Sequence, residues 1–162
     1  MQAMKMLFLV SVIWAATGQA SFAEMPKIEI DLSDKTLTYH ADSTIVYDIA
    51  VGMEEYPTPT GTYSIWSIDK QPDWCPDPKT PWLRPKEREY IEENKCIPYW
   101  NPLNPFTRYR LRFFGAYSIH GTKYSNVEGQ ESHGCVRMRA KDITDLVENK
   151  GLSTGTKVII HE

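Results

Sequence analysis

Cysteine is scarce in this chain: three residues among 162, at Cys75, Cys96 and Cys135. None forms a Cys-x-x-Cys pair, which removes the usual zinc-ribbon and thioredoxin-type motifs. Histidine is nearly as rare, with four residues at His40, His120, His133 and His161, and no two of them stand at His-x-x-x-His spacing. A basic excess is also missing. Lys and Arg number 18 against 21 Asp and Glu, a net charge of −3, and no basic stripe interrupts the balance. A nucleic-acid partner is excluded on that ground. There is no internal repeat and no low-complexity tract. No apolar run reaches the about 20 residues that a membrane-spanning helix needs.

The longest apolar run, Met6 to Ala16, sits near the start of the chain. Lys5 precedes it, and small residues follow as far as Ser21-Phe22-Ala23. Charge, short apolar stretch and small-x-small ending are the parts of a secretory signal. Residues 1–23 are therefore expected to be cleaved, leaving a mature domain over 24–162. Retention as an anchor is the other reading, and the run is short for it. Cleavage would remove one lysine and no acid, giving a mature net charge of −4. The expected location is the periplasm or cell wall, with no stable membrane span after cleavage. What remains has the length of one ordinary domain.

Period-two alternation marks strands at Lys27–Leu32, Thr36–His40 and Thr44–Val51. Gly61–Ile68 reads as one further strand, Tyr109–Phe114 and Tyr117–Ile119 as a pair, and Thr156–His161 as the closing one. Residues 139–150 place Ile143, Leu146 and Val147 at i, i+3 and i+4 before Gly151, the pattern of one amphipathic helix. The sum is seven or eight strands, mostly in sequential hairpins, with one or two short helices. The fold class is mainly β, a sandwich or barrel-like domain. Residues 69–105 differ. They hold most of the prolines, three of the five tryptophans and two of the three cysteines. Proline removes ladder donors, so this excursion lies outside the central sheet. Within it, Glu87–Asn94 reads as a short helix. The segment is either a lid over a cleft or a clamped surface excursion.

In an oxidising compartment Cys75 and Cys96 can pair across the excursion, a closure contributing about 3 kcal/mol in the chain-entropy picture. Cys135 is then left over. An odd cysteine in an exported protein is an intermolecular bridge or a thiol kept for reactivity. An unperturbed thiol, with pKa about 8.5, needs a base to become a nucleophile at neutral pH. His120, at the end of the short strand Tyr-Ser-Ile-His, is placed to supply one. Gly134 permits a tight turn and, with Cys135, offers backbone N–H groups as an oxyanion hole. The helix starting near Arg139 adds the positive end of its dipole. His40 and His161 carry no role.

Ile119-His120-Gly121-Thr122 followed by Ser132-His133-Gly134-Cys135-Val136-Arg137-Met138 resembles the active-site signature of the L,D-transpeptidase catalytic domain family of the YkuD type. Other segments fit in order: Pro57-Thr58-Pro59-Thr60-Gly61-Thr62-Tyr63, the Pro/Trp-rich stretch from Trp74 to Pro81, Asn104-Pro105 before an aromatic strand, and Gly155-Thr156-Lys157-Val158. The resemblance implies a β-sandwich-like domain acting on peptidoglycan stem peptides without a cofactor or metal. It implies Cys135 as nucleophile, His120 as base, the Gly121 carbonyl as its orienting partner, and His133, Ser132 and Arg137 as turn-supporting or substrate-binding residues. The acceptor stays open: an amine on a second stem, water, or a lysine on an outer-membrane protein or lipoprotein. Three rival readings stand beside it. These are an inert buried cysteine, a non-catalytic wall-binding module, and a metal site of His120, His133 and Cys135, which lacks preorganising spacing.

Overall fold

The computed structural model describes residues 25–123, 127 and 130–162. The expected leader at 1–23 lies outside them. Ten strands and two helices follow one another: β1 (Lys27–Asp31), β2 (Thr36–His40), β3 (Thr44–Gly52), β4 (Gly61–Ser64), β5 (Ser67–Lys70), α1 (Pro85–Asn94), β6 (Phe106–Phe114), β7 (Tyr117–Thr122), β8 (Gln130–Ser132), β9 (Val136–Arg139), α2 (Ala140–Thr144) and β10 (Lys157–His161). The fold is mainly β, as the alternating patterns predict.

The strands form one sheet in the order β4-β10-β1-β2-β3-β9-β7-β6-β5, with β8 paired to β3. The strands at the two ends of that order, β4 and β5, are consecutive in sequence. Between them the Ile65 N–H donates to the Thr156 carbonyl at 2.9 Å, and the Trp66 N–H to the Arg112 carbonyl at 2.9 Å. The sheet therefore curls until its edges meet at these two residues. This corrects the single strand expected over 61–68. The chain changes partner there, from β10 to β6, and the ladder breaks at the change. Strands β8 and β9 also stand where only a turn was expected.

Inside the curl lies one apolar cluster. Ile28, Ile30, Leu37, Ile49, Ile65, Leu111, Ile119, Met138 and Val158 supply it from the strands, and Ile143 and Leu146 from α2 and the π-helical turn Asp145–Asn149 that continues it. The expected helix over 139–150 is thus present, with its second half wound as a π turn. Burying each such aliphatic side chain contributes roughly 1.5–3 kcal/mol.

The excursion has its own small core of Trp74, Leu83, Ile91, Ile97 and Phe106. Cys75 and Cys96 are joined in a disulfide, and Trp74 and Ile97 beside them form an isolated antiparallel bridge. Helix α1 starts at Pro85, with Arg84 and buried Glu87 closing its first turn through an ion pair and a bond from the Arg84 N–H to Glu87 Oε2 at 2.9 Å. Among the described residues no helix is long and apolar enough to cross a membrane.

Candidate active site

Strands β7 and β9 run parallel and side by side, with Ile119 opposite Val136 and His120 opposite Arg137. Cys135 immediately precedes β9. Side chains alternate along a strand, so Ser118 and His120 share one face of β7. Ser118 is fully buried, and its Oγ lies 3.7 Å from Cys135 Sγ. The register thus brings the half-buried thiol to the face that carries His120. His120 lies within β7 rather than at its end, because the strand continues to Thr122.

The His120 Nδ1 is 3.0 Å from the Gly121 carbonyl. A carbonyl only accepts, so Nδ1 carries the proton and Nε2 is the basic nitrogen. The ring is 3% exposed. Burial drives its pKa from 6.5 down to about 3; the Gly121 bond opposes this, and the Arg137 and Arg110 charges reinforce it. His120 is therefore neutral at rest. Phe106 meets the ring edge-on at 4.7 Å between centroids. Gly121 has to be glycine, since a Cβ would come within 2.3 Å of Thr107 Oγ1 on the adjoining β6.

The turn at 132–135 is held by Ser132. Its Oγ donates to the Cys135 carbonyl at 2.5 Å and accepts from the Gly134 N–H at 3.0 Å. The Gly134 amide, expected as an oxyanion donor, is engaged within the turn in this structure. Gly134 has φ +100°, and a Cβ there would sit 2.4 Å from the Tyr117 ring. Only glycine fits both demands. The helix expected to lend its dipole starts at Ala140 with Arg139 as its N-cap, where the sequence placed it. Four residues of β9 separate Cys135 from Ala140, a run of about 16 Å along the strand.

His133 is stacked on Trp82 of the excursion, with centroids 4.3 Å apart and planes at 16°, and meets Tyr56 edge-on at 5.0 Å. Burial lowers its pKa, and Arg137 adds to this while Glu87 opposes it. Trp82 in turn stacks on Trp74 at 6.1 Å. The excursion thus reaches the turn at 132–135 through one aromatic contact on another. Arg137 lies on β9, half-buried, opposite His120. Among the described residues no three His, Cys, Asp or Glu side chains converge as metal ligands. His40 and His161 lie apart, each 3.2 Å from Glu29.

Sequence reasoning missed four residues here: Ser118, Arg110, Phe106 and Trp82. Ser118 stands two positions before His120, and Arg110 two before Arg112. Period-two spacing from His120 reaches Ser118 only once the strand register and the facing thiol are known.

Residues 26–160 match the family described as YkuD, the L,D-transpeptidase catalytic domain. Among curated proteins, the probable L,D-transpeptidase YbiS of Escherichia coli is 32% identical over 136 residues, covering 81% of this chain and 43% of that protein. The probable L,D-transpeptidase ErfK/SrfK of Escherichia coli is 27% identical over 140 residues, covering 82% of this chain and 43% of that protein. The chain thus spans less than half the length of these relatives. Among solved structures, an Enterococcus faecium L,D-transpeptidase superposes with TM-score 0.63 at 20% identity, over 86% of this chain and 50% of that one. One from Xylanimonas cellulosilytica superposes with TM-score 0.59 at 18% identity, over 84% of this chain and 60% of that one. Sequence match and shared curled sheet agree: the chain belongs to the L,D-transpeptidase catalytic domain family.

Proposed function

We propose that this protein is an exported L,D-transpeptidase that transfers acyl groups between peptidoglycan stem peptides through a thioester on Cys135. The observation that carries the reading is the pairing of a half-buried thiol, at a glycine-only turn, with the strand face that bears a neutral, oriented imidazole. In the proposed first step the Cys135 proton passes to His120 Nε2. The sulfur attacks the amide carbonyl between the third residue of a tetrapeptide stem and its terminal D-alanine. The Cys135 N–H faces the developing oxyanion, and the Gly134 N–H joins it once Ser132 Oγ lets go. Such a donor is worth about 3 kcal/mol in the transition state. The C–N bond breaks, His120 returns its proton to the departing D-alanine amine, and a thioester remains. An amine on a second stem then loses a proton to His120 and attacks the thioester carbonyl; the C–S bond breaks, the acyl group stays on the amine, and His120 returns its proton to Cys135 Sγ. In this reading His133 and Arg137 bind the substrate, Ser132 and Gly121 hold the two reacting side chains in place, and Trp82 walls the cleft.

Mass spectrometry of the mature protein with a disaccharide-tetrapeptide tests this. Loss of D-alanine with a cross-linked dimer is the expected result. Loss of D-alanine with a free tripeptide assigns water as acceptor and makes the protein a carboxypeptidase of the same chemistry. A Cys135→Ala variant should release no D-alanine, and normal release from it would sink the nucleophile assignment. An untouched substrate with wild-type protein would favour the wall-binding reading.

A further inference from the structure

Arg110 on β6 and Ser118 on β7 have no part in the chemistry so far. Arg110 faces His120 across the β6–β7 ladder, and Arg112 faces Ser118. The Arg110 Nε–H donates to Ser118 Oγ at 3.1 Å. A guanidinium only donates, so the serine oxygen is the acceptor there, and its own proton is free for another partner. Cys135 Sγ lies 3.7 Å from that oxygen; a thiol there either donates or accepts, and a thiolate only accepts. The guanidinium is itself fixed. Its second terminal nitrogen donates to the Ala116 carbonyl at 3.2 Å, and its carbon lies 4.9 Å from the centroid of the Phe106 ring, the ring that also meets His120.

We propose that Ser118 is a hydrogen-bond donor to the reacting sulfur and that Arg110 is the positioning residue that aims its hydroxyl. The proposal rests on Cys135 being the nucleophile. A donated hydrogen bond and a nearby fixed cation both favour thiolate over thiol, and both gain strength where water is excluded. Burial lowers the pKa of Arg110 first and Arg112 adds to that, while Cys135 and Asp69 pull the other way. The charged and titratable groups around the cluster are Arg110 and Arg112 from β6, Asp69 from β5, His120 from β7, His133 from the turn and Arg137 from β9. Against the neutral His120, Arg110 supplies a permanent positive charge to a site whose base carries none until the proton moves.

The test is the rate of Cys135 alkylation by iodoacetamide as a function of pH, followed by intact mass. It needs no substrate, so it stands apart from the transpeptidase assay. Ser118→Ala removes a single oxygen and should slow alkylation at neutral pH about tenfold, the loss of one hydrogen bond to a charged group. Arg110→Gln should do the same, and Arg110→Lys, which keeps a cationic donor, should restore part of the rate. If Arg110→Gln fails to fold, Ser118→Ala decides alone. A Ser118→Ala curve that overlays the wild type would overturn the proposal and leave Ser118 as core packing. A wild-type sulfur unreactive at every pH would overturn the nucleophile reading and this proposal with it.

Discussion

At Gly134 one hydrogen atom in place of a methyl group decides whether the turn can exist. The positive φ and the Tyr117 ring 2.4 Å from a would-be Cβ both press on the same position. Gly134→Ala should therefore lower stability by about 1–3 kcal/mol and remove activity, read from denaturant midpoints and D-alanine release. Gly115→Ala is the control. Its φ is +49° but nothing lies within 4 Å of the added Cβ, so only a backbone cost of about 1 kcal/mol is expected, with activity retained. His120 yields a second prediction. Between pH 6.5 and about 3 the unfolded chain binds a proton on this ring that the folded chain refuses. The unfolded state then holds more protons, so stability is full above that window and falls as pH drops through it. Urea unfolding across the window should show a flatter pH slope in His120→Gln than in wild type; equal slopes would refute the buried neutral imidazole. The residues of the site were legible in Ser132-His133-Gly134-Cys135 and in His120-Gly121. Ser118 was not, because a serine in a strand has no signal until the facing thiol is known.

At the scale of elements, alternation located β1, β2, β3 and β10 to within a residue at each end. These strands pair with neighbours in a half-buried sheet, and each inward side chain reports its face. Strands β8 and β9 escaped because they are three and four residues long and flank the turn. Their order comes from distant partners on β3 and β7, which no local pattern encodes. The excursion was legible as an interruption but not as a packed unit. In the structure the excursion carries a disulfide and a separate apolar core, and the Trp82–His133 stack sets it against the turn at 132–135. Cys75→Ser with Cys96→Ser should cost about 3 kcal/mol of stability, the loop-closure value for 21 residues of separation. Cys135 should remain reactive in that variant. Thiol titration of the denatured, unreduced wild type should find one free thiol, and three would refute the pairing.

For the whole molecule, class and family were readable before the topology was. Composition and period point to a mainly β domain, but a hairpin count cannot say which strands close the sheet. Here the last strand in sequence, β10, lies inside the sheet order, parallel to β1 and antiparallel to β4. Ribosomes make Lys157–His161 after every other element described here, so β1 and β4 emerge first and have no partner on that side. Until the final strand arrives, both offer bare N–H and C=O groups to any neighbouring chain, the geometry by which nascent sheets aggregate. The order of synthesis thus leaves this sheet unfinished until its last strand has been made, and keeping the chain extended until then becomes a task for whatever handles it.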